Sequence, residues 1–134
     1  MSKKDFFKHL TPEERQIIVK KGTEKPFSGE YNNHFDKGVF ICRACSNPLF
    51  ESNTKFDSGC GWPSFDDEIK GAINRFADNS LREQRMEICC AKCNGHLGHV
   101  FKGEGMTIKN TRHCVNSLSI RFQSCQDLKN IKRE

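Results

Sequence analysis

Two Cys-x-x-Cys hooks, Cys42-Arg43-Ala44-Cys45 and Cys90-Ala91-Lys92-Cys93, constrain this chain more than any other feature in it. Two intervening residues let both thiolates of a hook turn back on one ion, and two hooks supply the four sulfurs of a closed tetrahedral shell. The spacing predicts one structural zinc held by Cys42, Cys45, Cys90 and Cys93. Such an ion clips together two distant loops, and closing so long a loop removes much unfolded-state entropy. A redox-active Cys-x-x-Cys or coincidental buried thiols would be the other readings, and the pairing of two hooks argues against coincidence. Cys89 stands beside Cys90 as a competitor, but Cys89 with Cys93 has the wrong hook length.

A metal staple suits the rest of the composition. Of 134 residues only 35% are hydrophobic and 29% are charged, so the core of what reads as a single domain (residues 1–134, core about 11–123) is modest and gains from a metal. The net charge of +5 comes partly from the two ends (Lys3, Lys4, Lys8; Lys129, Lys132, Arg133), which fits a solvated surface better than a stripe that tracks nucleic acid. Residues 1–10 have no apolar stretch long enough for a secretory signal, and no later run could span a membrane. Eight cysteines in such a chain are more economically metal ligands and reactive thiols than a disulfide framework. The expectation is a cytoplasmic, reducing location, a monomer, and no nucleic-acid or membrane partner.

Thr11-Pro12-Glu13-Glu14 combines an N-cap hydroxyl, a proline at the first helical position and a glutamate three residues after the cap. A short helix to about Lys20 follows, closed by Gly22 in the left-handed conformation. From Phe27 onward the pattern reads as β: Val39 to Arg43, Thr54 to Asp57, Ile73 to Asp78, Glu83 to Cys90, Leu97 to Phe101 and His113 to Gln123. Short strands with frequent turns predict a mainly β, two-sheet or barrel-like fold. Alternation places Cys90 with the apolar face of its strand and Cys89 with the charges, and puts Arg112, Cys114, Asn116, Leu118, Ile120 and Phe122 on one face of the last strand.

Four thiols lie outside the hooks: Cys60, Cys89, Cys114 and Cys125. Cys60, between Gly59 and Gly61 and just before the single tryptophan, Trp62, reads either as a mobile thiol beside a rigid aromatic surface or as a tight turn with a core tryptophan. Cys114 shares a face with Arg112 and Asn116; a nearby cation lowers a thiol pKa, and the alternative is an inert buried cysteine. His96 and His99 would face opposite ways in an unbroken strand, although Gly98 permits a bulge that brings them together.

Taken together, Gly22-Thr23-Glu24, Pro26-Phe27-Ser28-Gly29-Glu30-Tyr31, both hooks, the segment from Phe56 to Phe65, His96-Leu97-Gly98-His99-Val100-Phe101 and Cys114-Val115-Asn116-Ser117 resemble the B-type methionine sulfoxide reductases, in family order and over roughly residues 11 to 123. The resemblance implies two antiparallel sheets with short N-terminal helices, and reduction of methionine-R-sulfoxide, preferably in peptides or proteins. It implies Cys114 as nucleophile, Cys60 as resolving cysteine, His99 as proton donor, Trp62 as the wall against the substrate methyl group, and His96, Arg112 and Asn116 as the polar side of the pocket. A thioredoxin-type dithiol is the implied reductant. Two departures stand out. His113 occupies a position where many relatives have tyrosine, and alternation turns it away from Cys114. Lys102-Gly103-Glu104-Gly105 replaces an aspartate pair; if a carboxylate there orients a histidine, Glu104 is the candidate. A zinc-stapled binding module, or a general thiol-disulfide carrier using Cys60 and Cys114, is the competing class, and neither needs Trp62.

Overall fold

The computed structural model describes residues 6–78 and 85–125. Thr11 caps helix α1 (Pro12–Ile18): its hydroxyl accepts from the Glu14 amide at 3.2 Å, and the Glu14 carboxylate accepts from the Thr11 amide at 2.8 Å. This reciprocal box is worth about 1 kcal/mol to a helix of this length. Ile17 and Ile18 turn its apolar face inward. The helix ends differently from expectation. Lys21, with φ 60°, takes the left-handed position, while Gly22 donates back to the Gln16 carbonyl at 2.9 Å. That closure spans seven residues, Gln16 to Gly22, one more than the common six-residue form, with close backbone approach at Gly22 and left-handed φ one residue earlier.

Among the described residues nine strands follow: β1 (Gly38–Cys42), β2 (Pro48–Glu51), β3 (Lys55–Phe56), β4 (Ser64–Phe65), β5 (Ile73–Asp78), β6 (Arg85–Cys90), β7 (His96–Lys102), β8 (Thr111–Val115) and β9 (Ile120–Ser124). They form two antiparallel sheets, one ordered β2-β1-β9 and one ordered β3-β4-β8-β7-β6-β5. Large side chains from both meet in one core. Phe40 and Phe50 of the smaller sheet close on Phe65 of the larger, Phe50 stacked on it at 4.3 Å and Phe40 edge-on at 5.1 Å, with Leu49, Ile88, Leu97, Val115 and Ile120 filling around them.

The expected strand from His113 to Gln123 is two strands in two sheets. A single 3-10 turn, Ser117–Ser119, separates β8 from β9 and carries the chain from the larger sheet to the smaller. Apolar residues continue on an even count through the turn, so alternation alone reads straight across it. β2 and β4 have no counterpart among the expected strands. Each stands at or beside a proline, Pro48 opening an edge strand and Pro63 preceding a two-residue one, which is where strands tolerate proline. The start of the expected strand at Glu83 lies outside the described residues.

Candidate active site and metal centre

The two hooks close on each other. Each is a tight knuckle whose residue after the second cysteine takes the left-handed conformation, Ser46 at φ 67° and Asn94 at φ 64°. The Ser46 and Asn94 amides donate to the Cys42 and Cys90 carbonyls, each at 2.8 Å. Cys42 and Cys93 hold their sulfurs 3.6 Å apart, Cys45 and Cys90 theirs 3.5 Å, and all four Sγ atoms lie within 4.8 Å of one another and buried. Four sulfurs about 2.3 Å from a tetrahedral ion sit roughly 3.8 Å apart, so the cluster could hold one metal ion. Cys42 ends β1 and Cys90 ends β6, which makes the cluster a link between the sheets. Cys89 is not in it; its thiol donates to Glu87 Oε2 at 3.5 Å, and burial pushes it up to about 12.

On the larger sheet, a cleft of about 150 Å³ is lined by Thr23, Cys60, Trp62, His99, Arg112, Cys114 and Asn116 with Gly98, Phe101 and Val115. Strand register explains how residues so scattered in sequence meet. Ser64, Cys114, His99 and Glu87 stand opposite one another across β4, β8, β7 and β6, forming one transverse row on the sheet. Gly98 lets β7 and β8 approach: a Cβ there would collide with the Cys114 carbonyl oxygen. Cys60 projects from a loop whose flanking glycines, Gly59 (φ 76°) and Gly61 (φ 96°), adopt a backbone that other residues resist. This brings its sulfur to 3.9 Å from that of Cys114.

The two thiols share a proton. Hydrogen bonding from Cys114, helped by the hydroxyls of Ser58 and Ser64, holds Cys60 down to about 4. The same shared proton, together with burial, pushes Cys114 up, and the Arg112 guanidinium works against that rise. Arg112 is itself fixed by both oxygens of Glu104, at 2.8 and 3.2 Å, and lies over the Phe101 ring at 4.4 Å. Glu104 is therefore the partner of the arginine and not of a histidine.

Trp62 and Asn116 owe their placement to Glu24. The indole Nε1 donates to the Glu24 carbonyl at 2.9 Å, and Asn116 Oδ1 accepts from the Glu24 amide at 3.0 Å. Asn116 Nδ2 donates to the Leu97 carbonyl at 3.1 Å, so both ends of the amide are engaged with backbone. Glu24 Oε1 in turn accepts from the Leu118 amide at 3.0 Å.

His96 and His99 do come together, with ring centroids 5.7 Å apart and planes at 71°. The cause is a bulge: β7 advances two residues, from Gly98 to His96, while β6 advances one, from Ile88 to Cys89. His96 does not line the cleft; it is 3% exposed, and its Nδ1 lies 2.8 Å from Glu87 Oε2. His113 faces away from Cys114, as alternation requires, between the Phe65 carbonyl at 3.0 Å and Glu68 at 3.1 Å. Glu24 and Glu87 were the residues sequence reasoning passed over. Glu87 carried one local signal, a carboxylate two residues before Cys89 on the charged face.

Comparison with known proteins follows the same lines. The SelR domain matches residues 10–124. The chain is 57% identical over 114 residues, 84% of its length, to peptide methionine sulfoxide reductase B2, chloroplastic, of Arabidopsis thaliana, of which it spans 55%. It is equally identical over the same share to peptide methionine sulfoxide reductase B5 of Arabidopsis thaliana and of Oryza sativa subsp. japonica, spanning 81% and 82% of those proteins. The chain belongs to the peptide methionine sulfoxide reductase B family, a family of oxidoreductases.

Proposed function

We propose that this chain, acting as a single domain, reduces methionine-R-sulfoxide in peptides or proteins to methionine. The observation that carries the reading is the convergence of Cys60 and Cys114, sulfurs 3.9 Å apart, in one cleft with Trp62, His99 and Arg112. Once the shared proton passes to Cys60, the Cys114 thiolate attacks the sulfoxide sulfur as His99 delivers a proton to the oxygen; the hydroxyl then passes from the substrate sulfur to the Cys114 sulfur as the new sulfur–sulfur bond breaks, so methionine leaves and Cys114 is left as a sulfenic acid. The Cys60 thiol then displaces that oxygen as water and closes a Cys60–Cys114 disulfide, which a thioredoxin-type dithiol reduces by exchange. A cleft of about 150 Å³ suits one unbranched side chain. With the substrate methyl against Trp62, only one sulfoxide epimer turns its oxygen toward His99, and this supports selectivity for the R form.

The four-cysteine cluster holds one structural zinc in this reading. An all-sulfur, buried donor set with these separations favours zinc over hard cations, and it leaves no open position for chemistry. The zinc ties the sheets together. A cytoplasmic, reducing location fits thiols that must stay reduced to ligate and react.

Turnover of separated R and S epimers with dithiothreitol or thioredoxin tests the proposal. Wild type is expected to consume the R epimer alone, Cys114→Ser to consume neither, and Cys60→Ser to complete one turnover but fail to cycle with thioredoxin. Equal turnover of both epimers, or full thioredoxin cycling without Cys60, would overturn it.

A further inference from the structure

The row Ser64, Cys114, His99, Glu87 ends on a carboxylate that the proposed chemistry has not used. Glu87 stands directly across from His99 on β6, yet its Oε2 reaches past it to His96 Nδ1 at 2.8 Å. The other oxygen receives Lys21 Nζ at 3.2 Å, and Cys89 donates to the first at 3.5 Å. Although burial opposes its charge, hydrogen bonds from His96 and Lys21 hold the Glu87 carboxyl below the usual range. An ionised carboxylate only accepts, so the proton between these two groups resides on His96 Nδ1.

The other nitrogen follows from burial. His96 is 3% exposed, and desolvation lowers its pKa despite the opposing pull of Glu87. A neutral ring with Nδ1 protonated has a bare Nε2. His99, whose ring meets that of His96 edge to face at 5.7 Å, lines the cleft beside Cys114. Two adjacent imidazolium ions repel, so the positive charge of the pair goes to the more exposed ring. The groups facing His96 are Glu87 and Cys89 from β6, Lys21 from the segment after α1, and His99 from β7.

We propose that Glu87 is a positioning residue: it fixes His96 as the neutral Nδ1–H tautomer and thereby keeps on His99 the proton delivered to the sulfoxide oxygen. The inference rests on the sulfoxide-reductase reading for its catalytic half, while the tautomer of His96 is a property of the resting protein. Carboxylate, imidazole and acid form a chain in which each member sets the protonation of the next. Lys21 keeps the carboxylate ionised without approaching the cleft.

Nitrogen-15 NMR of histidine-labelled, reduced, zinc-loaded protein tests the first half without substrate. His96, assigned by comparison with His96→Asn, is expected to show a protonated Nδ1 and a bare Nε2; a protonated Nε2 would overturn the proposal whether or not the chain reduces sulfoxides. The second half is read in single turnovers of methionine-R-sulfoxide. Glu87→Gln should lower the saturating rate roughly tenfold with the half-saturating concentration little changed. Its alkaline limb should move to lower pH, because the anion supporting a positive charge on the histidine pair is gone. Glu87→Asp, which keeps the charge, should hold that limb in place at an intermediate rate. An unchanged rate and limb in Glu87→Gln, with zinc retained, would sink the catalytic half, as would a limb that moves equally in Glu87→Asp.

Discussion

Cys60 and Cys114 behave as one titrating unit because their sulfurs, 3.9 Å apart, hold a proton between them. Each sets the pKa of the other: donation from Cys114 is the largest influence lowering Cys60, and the shared proton is the largest raising Cys114. A thiol held low stays thiolate to lower pH. Alkylation of wild type by iodoacetamide should therefore persist at pH 5 to 6, on Cys60, far below the ordinary thiol range of about 8.5. Cys114→Ala should move that midpoint up. Cys60→Ala should bring Cys114 down, since Arg112 then acts on it without the competing sulfur. Mass-spectrometric mapping of the labelled cysteine against pH checks both, and a low-pH label that stays on Cys60 in Cys114→Ala would contradict the shared proton.

Asn116 is held by two backbone groups, and this gives it a structural cost of its own. Asn116→Ala strands the buried Glu24 amide, which loses its bond to Oδ1, and takes a donor from the Leu97 carbonyl. Loss of about 2 kcal/mol in unfolding free energy is expected. Asn116→Asp keeps the acceptor for Glu24 but sets a carboxylate against the Leu97 carbonyl, and should cost at least as much. Urea denaturation measures both; a variant within 0.5 kcal/mol of wild type (about the scale of surface substitutions) would show the amide to be dispensable.

The proposed zinc site predicts a sharp contrast between adjacent cysteines. Cys90→Ser should lose bound zinc and unfold at a much lower temperature, because the metal contributes directly to folding free energy. Cys89→Ser should keep one zinc per chain, its thiol being on Glu87 and not in the cluster. Metal content by emission spectroscopy, paired with thermal unfolding, distinguishes them.

Glu68 gives a pH-dependent term in stability. Burial works against its charge, but hydrogen bonds and charge from His113 and Arg75 hold its carboxyl below the usual range. A carboxyl depressed in the folded state stabilises fully above its unfolded pKa of about 4.3 and loses that contribution as pH falls through the lower folded value. Glu68→Gln should thus flatten the acid limb of the stability curve. Chemical denaturation between pH 2 and 6 measures it, and a parallel limb would assign the acid sensitivity to other groups.

How much of this was legible in the sequence follows from the range of each signal. The hooks were, because two residues between thiolates fix a chelate wherever the chain goes. The cap at Thr11 and the strands at Ile73 and Val39 were legible for the same local reason. The meeting of His96 and His99 depended on a bulge opposite Ile88 and Cys89, which no local pattern encodes, although Gly98 admitted it. The 3-10 turn at Ser117 kept the count of apolar residues and so hid the change of sheet. Glu24 and Glu87 act through partners far away in the chain, Asn116, Trp62 and His96, and pairings of that kind appear only once strands are in register.

The turn from Ser117 to Ser119 has a mechanical consequence. It lets β8 and β9 belong to different sheets with Cys114 just upstream, while Ile120 pairs with Cys42 of the metal knuckle. Arg43 in that knuckle also donates to the Ser117 carbonyl at 3.0 Å. The strand that carries Cys114 is thus tethered at its downstream end to the four-cysteine knuckle, and the two sheets cannot slide past one another without displacing it. The rim of the cleft is built differently, from turns that need glycine: Gly59 and Gly61 flank Cys60, and Gly103 and Gly105 flank Glu104, all at positive φ.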